Sequence, residues 1–63
     1  MNNLKKVLNQ QGIRQSELAR AIGVTRQCVN RWTQGLNYPD IEHIKQVSNY
    51  LKVPIEKLFF EDA

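Results

Sequence analysis

Apolar residues recur along this chain at helical spacing, in short blocks separated by glycine or proline. Leu4, Val7 and Leu8 form one stripe and predict a helix over about 3–11, with Gly12 to end it. Leu18, Ala19 and Ile22 predict a second helix over roughly 15–22, stopped by Gly23 and followed by Val24. Thr25 is a good N-cap for a third helix because its hydroxyl can accept from an unpaired amide two or three residues on. Val29 and Trp32 are the apolar positions of that helix (about 25–34), and Gly35 lies just beyond its end. After the turn chemistry of Asn37, Tyr38 and Pro39, Asp40 can cap a fourth helix. Ile41, Ile44, Val47 and Leu51 are expected to line one face of it. Val53 and Pro54 open a last short helix, from which Ile55, Leu58 and Phe59 can pack back onto the core. Two neighbouring phenylalanines cannot easily point the same way, so Phe60 is expected outside. No segment alternates with period two. The expected fold is all-α, with five short helices in a single domain over 1–63.

The outward side of the third helix changes the picture from architecture to chemistry. At about 100° per residue, Cys28, Val29 and Trp32 share one side, whereas Arg26, Gln27, Asn30, Arg31 and Gln34 share the other. That outer side holds long polar groups and no acid, whereas a solvated helix usually mixes both signs. Arginine pairs bidentately with guanine, and glutamine or asparagine with adenine, through the edges exposed in a DNA major groove. The second and third helices, joined by Gly23-Val24-Thr25, have the spacing of a helix-turn-helix, whose second helix is sized for that groove. Charge agrees with this. Residues 1–36 carry six cations against Glu17 alone, while 37–63 carry three cations against five acids. A polyanionic partner therefore suits the N-terminal half.

The span Gln15 to Gln34 resembles the Cro/CI-type, lambda-repressor-like helix-turn-helix regulators. The resemblance rests on Gln15, Leu18, Ala19, Gly23, Val24, Thr25, Arg26, Val29, Trp32 and Gly35, and continues through Pro39, Ile44, Val47, Leu51, Val53, Leu58 and Phe59. It implies a compact five-helix lambda-repressor-like DNA-binding domain that regulates transcription, as a repressor of Cro-like or stand-alone type. It further implies base readout by Arg26 and Gln27, readout or a phosphate contact by Asn30 and Arg31, which are taken here with the readers, and phosphate contacts from Gln15 and Gln34; Arg14, Thr25 and Tyr38 are expected from their own positions to add phosphate contacts, with simple packing the alternative for Tyr38. The expected partner is double-stranded DNA with a two-fold operator, bound by a homodimer that forms on DNA if not before. Four positions depart from the family pattern. Arg14 stands where a Ser or Thr cap is usual, Thr33 where an acid is common, Lys52 where glycine is frequent, and Pro54 where a Ser or Asp cap is common.

Other function classes find less support. No Cys/His, Ser/His/Asp or paired-carboxylate set shares a face, and there is no phosphate-cradling glycine loop, so neither catalysis nor a cofactor is expected. The single cysteine, Cys28, excludes an intramolecular disulfide and a cysteine-rich zinc site. It reads as a small hydrophobe or a groove-flanking contact, and His43 as surface or core filler. No apolar run approaches the roughly 20 residues that span a bilayer, and the N-terminus lacks a signal-peptide block, so a cytoplasmic location is expected. An antitoxin-type or other protein-interaction module on the same fold is the alternative. A non-specific nucleic-acid binder would need exposed stacking aromatics, which the outer side of the third helix lacks.

Overall fold

The computed structural model describes residues 2–60. Four α-helices follow one another, α1 (Leu4–Gln11), α2 (Gln15–Ile22), α3 (Arg26–Thr33) and α4 (Ile41–Leu51), and a short π-helical segment, α5 (Glu56–Phe60), completes the described chain. There is no strand among the described residues, and no helix is long and apolar enough to cross a membrane. Each helix contributes to one cluster of buried side chains, from Leu4 and Leu8 through Leu18, Ala19, Ile22, Val29, Trp32, Val47 and Leu51 to Leu58 and Phe59. α2 packs on α3 and α4, and α1 packs on α3 and α5.

A domain this small has little core, so its segments are also tied by polar contacts. The Asn3 amide donates to the Leu58 carbonyl at 3.0 Å, and the Asn3 side chain to the Lys57 carbonyl at 3.0 Å. Asn2 donates its side-chain amide to the Trp32 carbonyl at 2.9 Å, and Gln11 reaches the Leu51 carbonyl at 2.8 Å. These long-range bonds fasten α1 to the ends of α3, α4 and α5. Each runs from an asparagine or glutamine to a backbone carbonyl and uses no apolar side chain, so the periodicity of the sequence does not announce them.

The caps follow the sequence at α3 and α4. Thr25 Oγ1 accepts from the Cys28 amide at 3.1 Å, and Asp40 Oδ1 accepts from the His43 amide at 2.9 Å. Helices α1 to α4 end alike, in a left-handed residue that lets the chain turn back onto its last carbonyls. At α3 this residue is Gly35 (φ 73°), with Leu36 N–H donating to the Arg31 carbonyl and Gly35 N–H to that of Trp32, both at 3.1 Å. At α4 the same conformation falls on Lys52 (φ 58°), whose amide donates to the Ser48 carbonyl at 2.8 Å. A side chain is strained there, and the position is one of the departures from the family pattern noted above.

One expectation for α4 fails. Ile41 is 70% exposed, whereas Val47 and Leu51 are buried and Ile44 is partly so. Three residues advance a helix by about 300°, so repeated steps of three drift by about 60° each time. Ile44, Val47 and Leu51 stay within a common arc of about 60°, and Ile41 falls about a quarter-turn from its centre. The two phenylalanines divide as expected, Phe59 at 5% exposure and Phe60 at 72%.

Candidate nucleic-acid interface

α3 is held by its apolar side. Val29 and Trp32 are buried and Cys28 is half-buried against the core. Trp32 is therefore a packing residue, its ring 6.0 Å from that of His43, and is not available to stack on a base. Thr33, where the family pattern commonly has an acid, is buried and donates its hydroxyl to the Asn30 carbonyl at 2.7 Å. The opposite side is what remains: Arg26, Gln27 and Arg31 are exposed and Asn30 is half-buried.

Arg26 and Asn30 face a groove of about 570 Å³, bordered by α1, the α1–α2 turn and the start of α2. Lys5, Arg14 and Arg26 line it together with Asn9, Gln15 and Ser16, and no carboxylate is among the lining residues. The start of α2 adds polarity of the same sign. Arg14 stands at its N-cap with extended backbone, but a guanidinium has only donors and cannot cap. Glu17 supplies the other half of the usual reciprocal arrangement, accepting from the Arg14 amide at 3.3 Å. With no side-chain cap on its first amides, the α2 N-terminus presents N–H groups and the positive end of its dipole to an external acceptor. The departure at Arg14 thus exchanges an internal acceptor for a cation beside unpaired donors. That combination suits an anion.

The sequence-predicted residues fall into three groups. Arg14, Gln15, Arg26 and Asn30 meet around the groove. Gln27 lies exposed near the start of α3, next to Thr25, whose hydroxyl accepts from Cys28 and keeps its own proton to donate. Arg31, Gln34 and Tyr38 belong to the other end of α3: Gln34 is its exposed C-cap, and Tyr38 sits edge-on to Phe59 at 6.1 Å with half its surface outside. Lys5, Asn9 and Ser16 also line the groove and are not among the sequence-predicted site residues. Lys5 had a signal in the charge asymmetry. Asn9 and Ser16 had none, since only the packing of α1 beside α2 brings them there.

Comparison with known proteins follows the same lines. A helix-turn-helix family model matches residues 4–58. The HTH-type transcriptional activator BcrR of Enterococcus faecalis is 29% identical over 55 residues, which is 87% of this chain but 27% of that protein. The chain thus spans about a quarter of that relative's length. Among solved structures, the P22 c2 repressor in complex with a synthetic operator superposes with a TM-score of 0.87 at 22% identity, over 95% of this chain and 91% of that one. A transcriptional regulator from Listeria innocua superposes with a TM-score of 0.83 at 23% identity, over 97% of this chain and 57% of that one. At those identities the superpositions show a common fold.

Proposed function

The chain belongs to the helix-turn-helix family, and on that premise we propose that it regulates transcription by binding double-stranded DNA sequence-specifically, with α3 in the major groove. The observation that carries this is the acid-free outer side of α3, continuous through Arg26 and Asn30 with the cationic groove at the α2 N-terminus. Arg26, Gln27, Asn30 and Arg31 read base edges, where bidentate pairing discriminates among base pairs. Arg14, Gln15, Thr25, Gln34 and Tyr38 hold the duplex backbone, which fixes register but carries no sequence information. Lys5 and the first amides of α2 join the backbone contacts.

One recognition helix reads too few base pairs to define a genomic site. Two subunits on a two-fold operator, with half-site centres about 10 bp apart, double the information. The surface proposed for pairing is the outer side of α4 with the end of α5, where Tyr50 and Phe60 are exposed. Repression is the proposed outcome, since it needs nothing beyond occupancy of a site that overlaps a promoter.

Selection of bound sequences from random duplex DNA, followed by footprinting, tests this. The expected result is a two-fold consensus and an affinity whose logarithm falls steeply with log salt. No enrichment, together with no binding at low salt, would refute DNA recognition. Full affinity for a single asymmetric half-site would refute the dimer.

A further inference from the structure

We propose that Asn37, in the loop after α3, is a positioning residue that fixes the Arg31 guanidinium so that its two terminal nitrogens address a guanine edge end-on. The proposal deepens the DNA-reading function proposed above and rests on it. Arg31 Nε–H donates to Asn37 Oδ1 at 3.0 Å, between two exposed side chains six residues apart. Since guanidinium has no acceptor, the amide must present its oxygen, and its NH2 group faces elsewhere.

The turn after α3 makes this contact a built one. Leu36 N–H closes on the Arg31 carbonyl, and left-handed Gly35 reverses the chain, so the backbone entering Asn37 is already tied to Arg31. A free arginine in the last turn of a helix would lose much of its rotamer freedom on ordering against a base. The Asn37 bond removes part of that freedom before DNA arrives. It also selects a mode of pairing. A guanidinium can offer two parallel N–H groups side-on, through Nε and one Nη, or end-on, through both Nη atoms. With Nε engaged, only the end-on pair is left for guanine O6 and N7.

The neutrality of the partner matters as well. A carboxylate at position 37 would orient Arg31 equally well, but would offset its charge and repel phosphate. The nearest acid in sequence, Asp40, is engaged with both the amide and the ring of His43. Arg31 is therefore oriented while its positive charge stays uncompensated by any ion pair among the described residues.

The test is a double-mutant cycle, Asn37→Ala and Arg31→Ala singly and together. It is read as the ratio of affinities for the selected operator and a scrambled duplex. Arg31→Ala is expected to lower the ratio by at least about fivefold. Asn37→Ala is expected to lower it by roughly threefold to tenfold, with little change in affinity for the scrambled duplex. In the Arg31→Ala background, Asn37→Ala should do nothing further. In the free protein, the Arg31 Nε–H proton resonance should exchange more slowly than those of Arg26 and Arg20, and lose that protection in Asn37→Ala. A merely structural role for Asn37 would not move that signal selectively. The proposal fails if Asn37→Ala leaves the ratio unchanged, or if its loss persists undiminished in the Arg31→Ala background. Gln27→Ala serves as the control. If it lowers the ratio while Arg31→Ala does not, this inference alone is overturned; if neither does, the reading of DNA by α3 falls with it.

Discussion

α3 and α4 solve the same folding problem and differ in what they leave outside. Each is a short one-sided helix capped by a side-chain oxygen, Thr25 or Asp40, and each puts apolar residues into the same core, Val29 and Trp32 in one, Val47 and Leu51 in the other. On the outer side of α3 stand Arg26, Gln27, Asn30 and Arg31, without an acid. On that of α4 stand Ile41, Glu42, Lys45, Gln46, Asn49 and Tyr50, with both signs and two large apolar groups. Burial therefore explains why both are helices, and it says nothing about function. Function is legible only in the half of each helix that the core does not claim. A polyanion fits α3. The mixed, partly apolar surface of α4 fits a protein neighbour better.

The inner sides should respond alike and strongly. Trp32→Ala removes a buried indole, and a loss of about 3–5 kcal/mol is expected, enough to leave a domain of this size largely unfolded. Ile41→Ala, although it changes a large apolar residue on α4, should stay within about 0.5 kcal/mol, because that side chain is already in water. Urea denaturation followed by circular dichroism distinguishes the two. A large loss at Ile41 would mean that α4 is buried on a second side.

Binding should separate the outer sides. Gln27→Ala is expected to cost roughly 1–3 kcal/mol on the selected operator and almost nothing on scrambled DNA. Gln15→Ala should weaken both about equally, as a backbone contact does. Lys45→Ala on α4 should change neither by more than about 0.5 kcal/mol. Fluorescence titrations of labelled duplexes at fixed salt measure all three. Equal losses at Gln27 and Lys45 would erase the distinction between the helices.

Smaller effects sharpen the comparison at the helix ends. Thr25→Ala and Asp40→Ala should each cost about 1 kcal/mol, since both remove an acceptor from a first-turn amide. Lys52→Gly should stabilise the protein by about 0.5–1 kcal/mol, because relief of left-handed strain exceeds the added freedom of glycine in the unfolded chain. Thermal melts resolve the signs. Destabilisation by Lys52→Gly would mean that the lysine side chain contributes more at that position than its backbone costs.

What the sequence disclosed follows the same division. Periodicity and punctuation placed α2 at its observed bounds, and Thr25, Asp40, Gly12 and Gly23 in their capping roles, because these depend on neighbours within about four residues. The exposure of Ile41 was lost to the angular drift of repeated steps of three. The left-handed turn at Lys52 was not read from the residue, since a lysine carries no signal for positive φ. Its position was flagged only by a family pattern that has glycine there. At the candidate interface, the outer residues of α3 were legible from composition and angle. The meeting of Lys5, Asn9 and Ser16 with Arg14 depended on how α1 packs beside α2. Asn37 was read as turn chemistry alone. Its bond to Arg31 spans six residues across a reversed chain, a distance at which no periodic pattern operates.

The α2–α3 side of the molecule, and not the α4 side, is the one proposed to meet DNA. Backbone amide resonances of the 15N-labelled protein, followed during titration with the selected duplex and with a single half-site, test this most directly. Large shifts are expected at Gln15, Ser16, Arg26, Gln27, Asn30 and Arg31 on a single half-site and on the two-fold duplex alike, with shifts at Glu42, Lys45, Gln46 and Asn49 confined to the two-fold duplex, on which two subunits pair. Shifts concentrated on α4, with α3 left unperturbed at saturation, would contradict that placement.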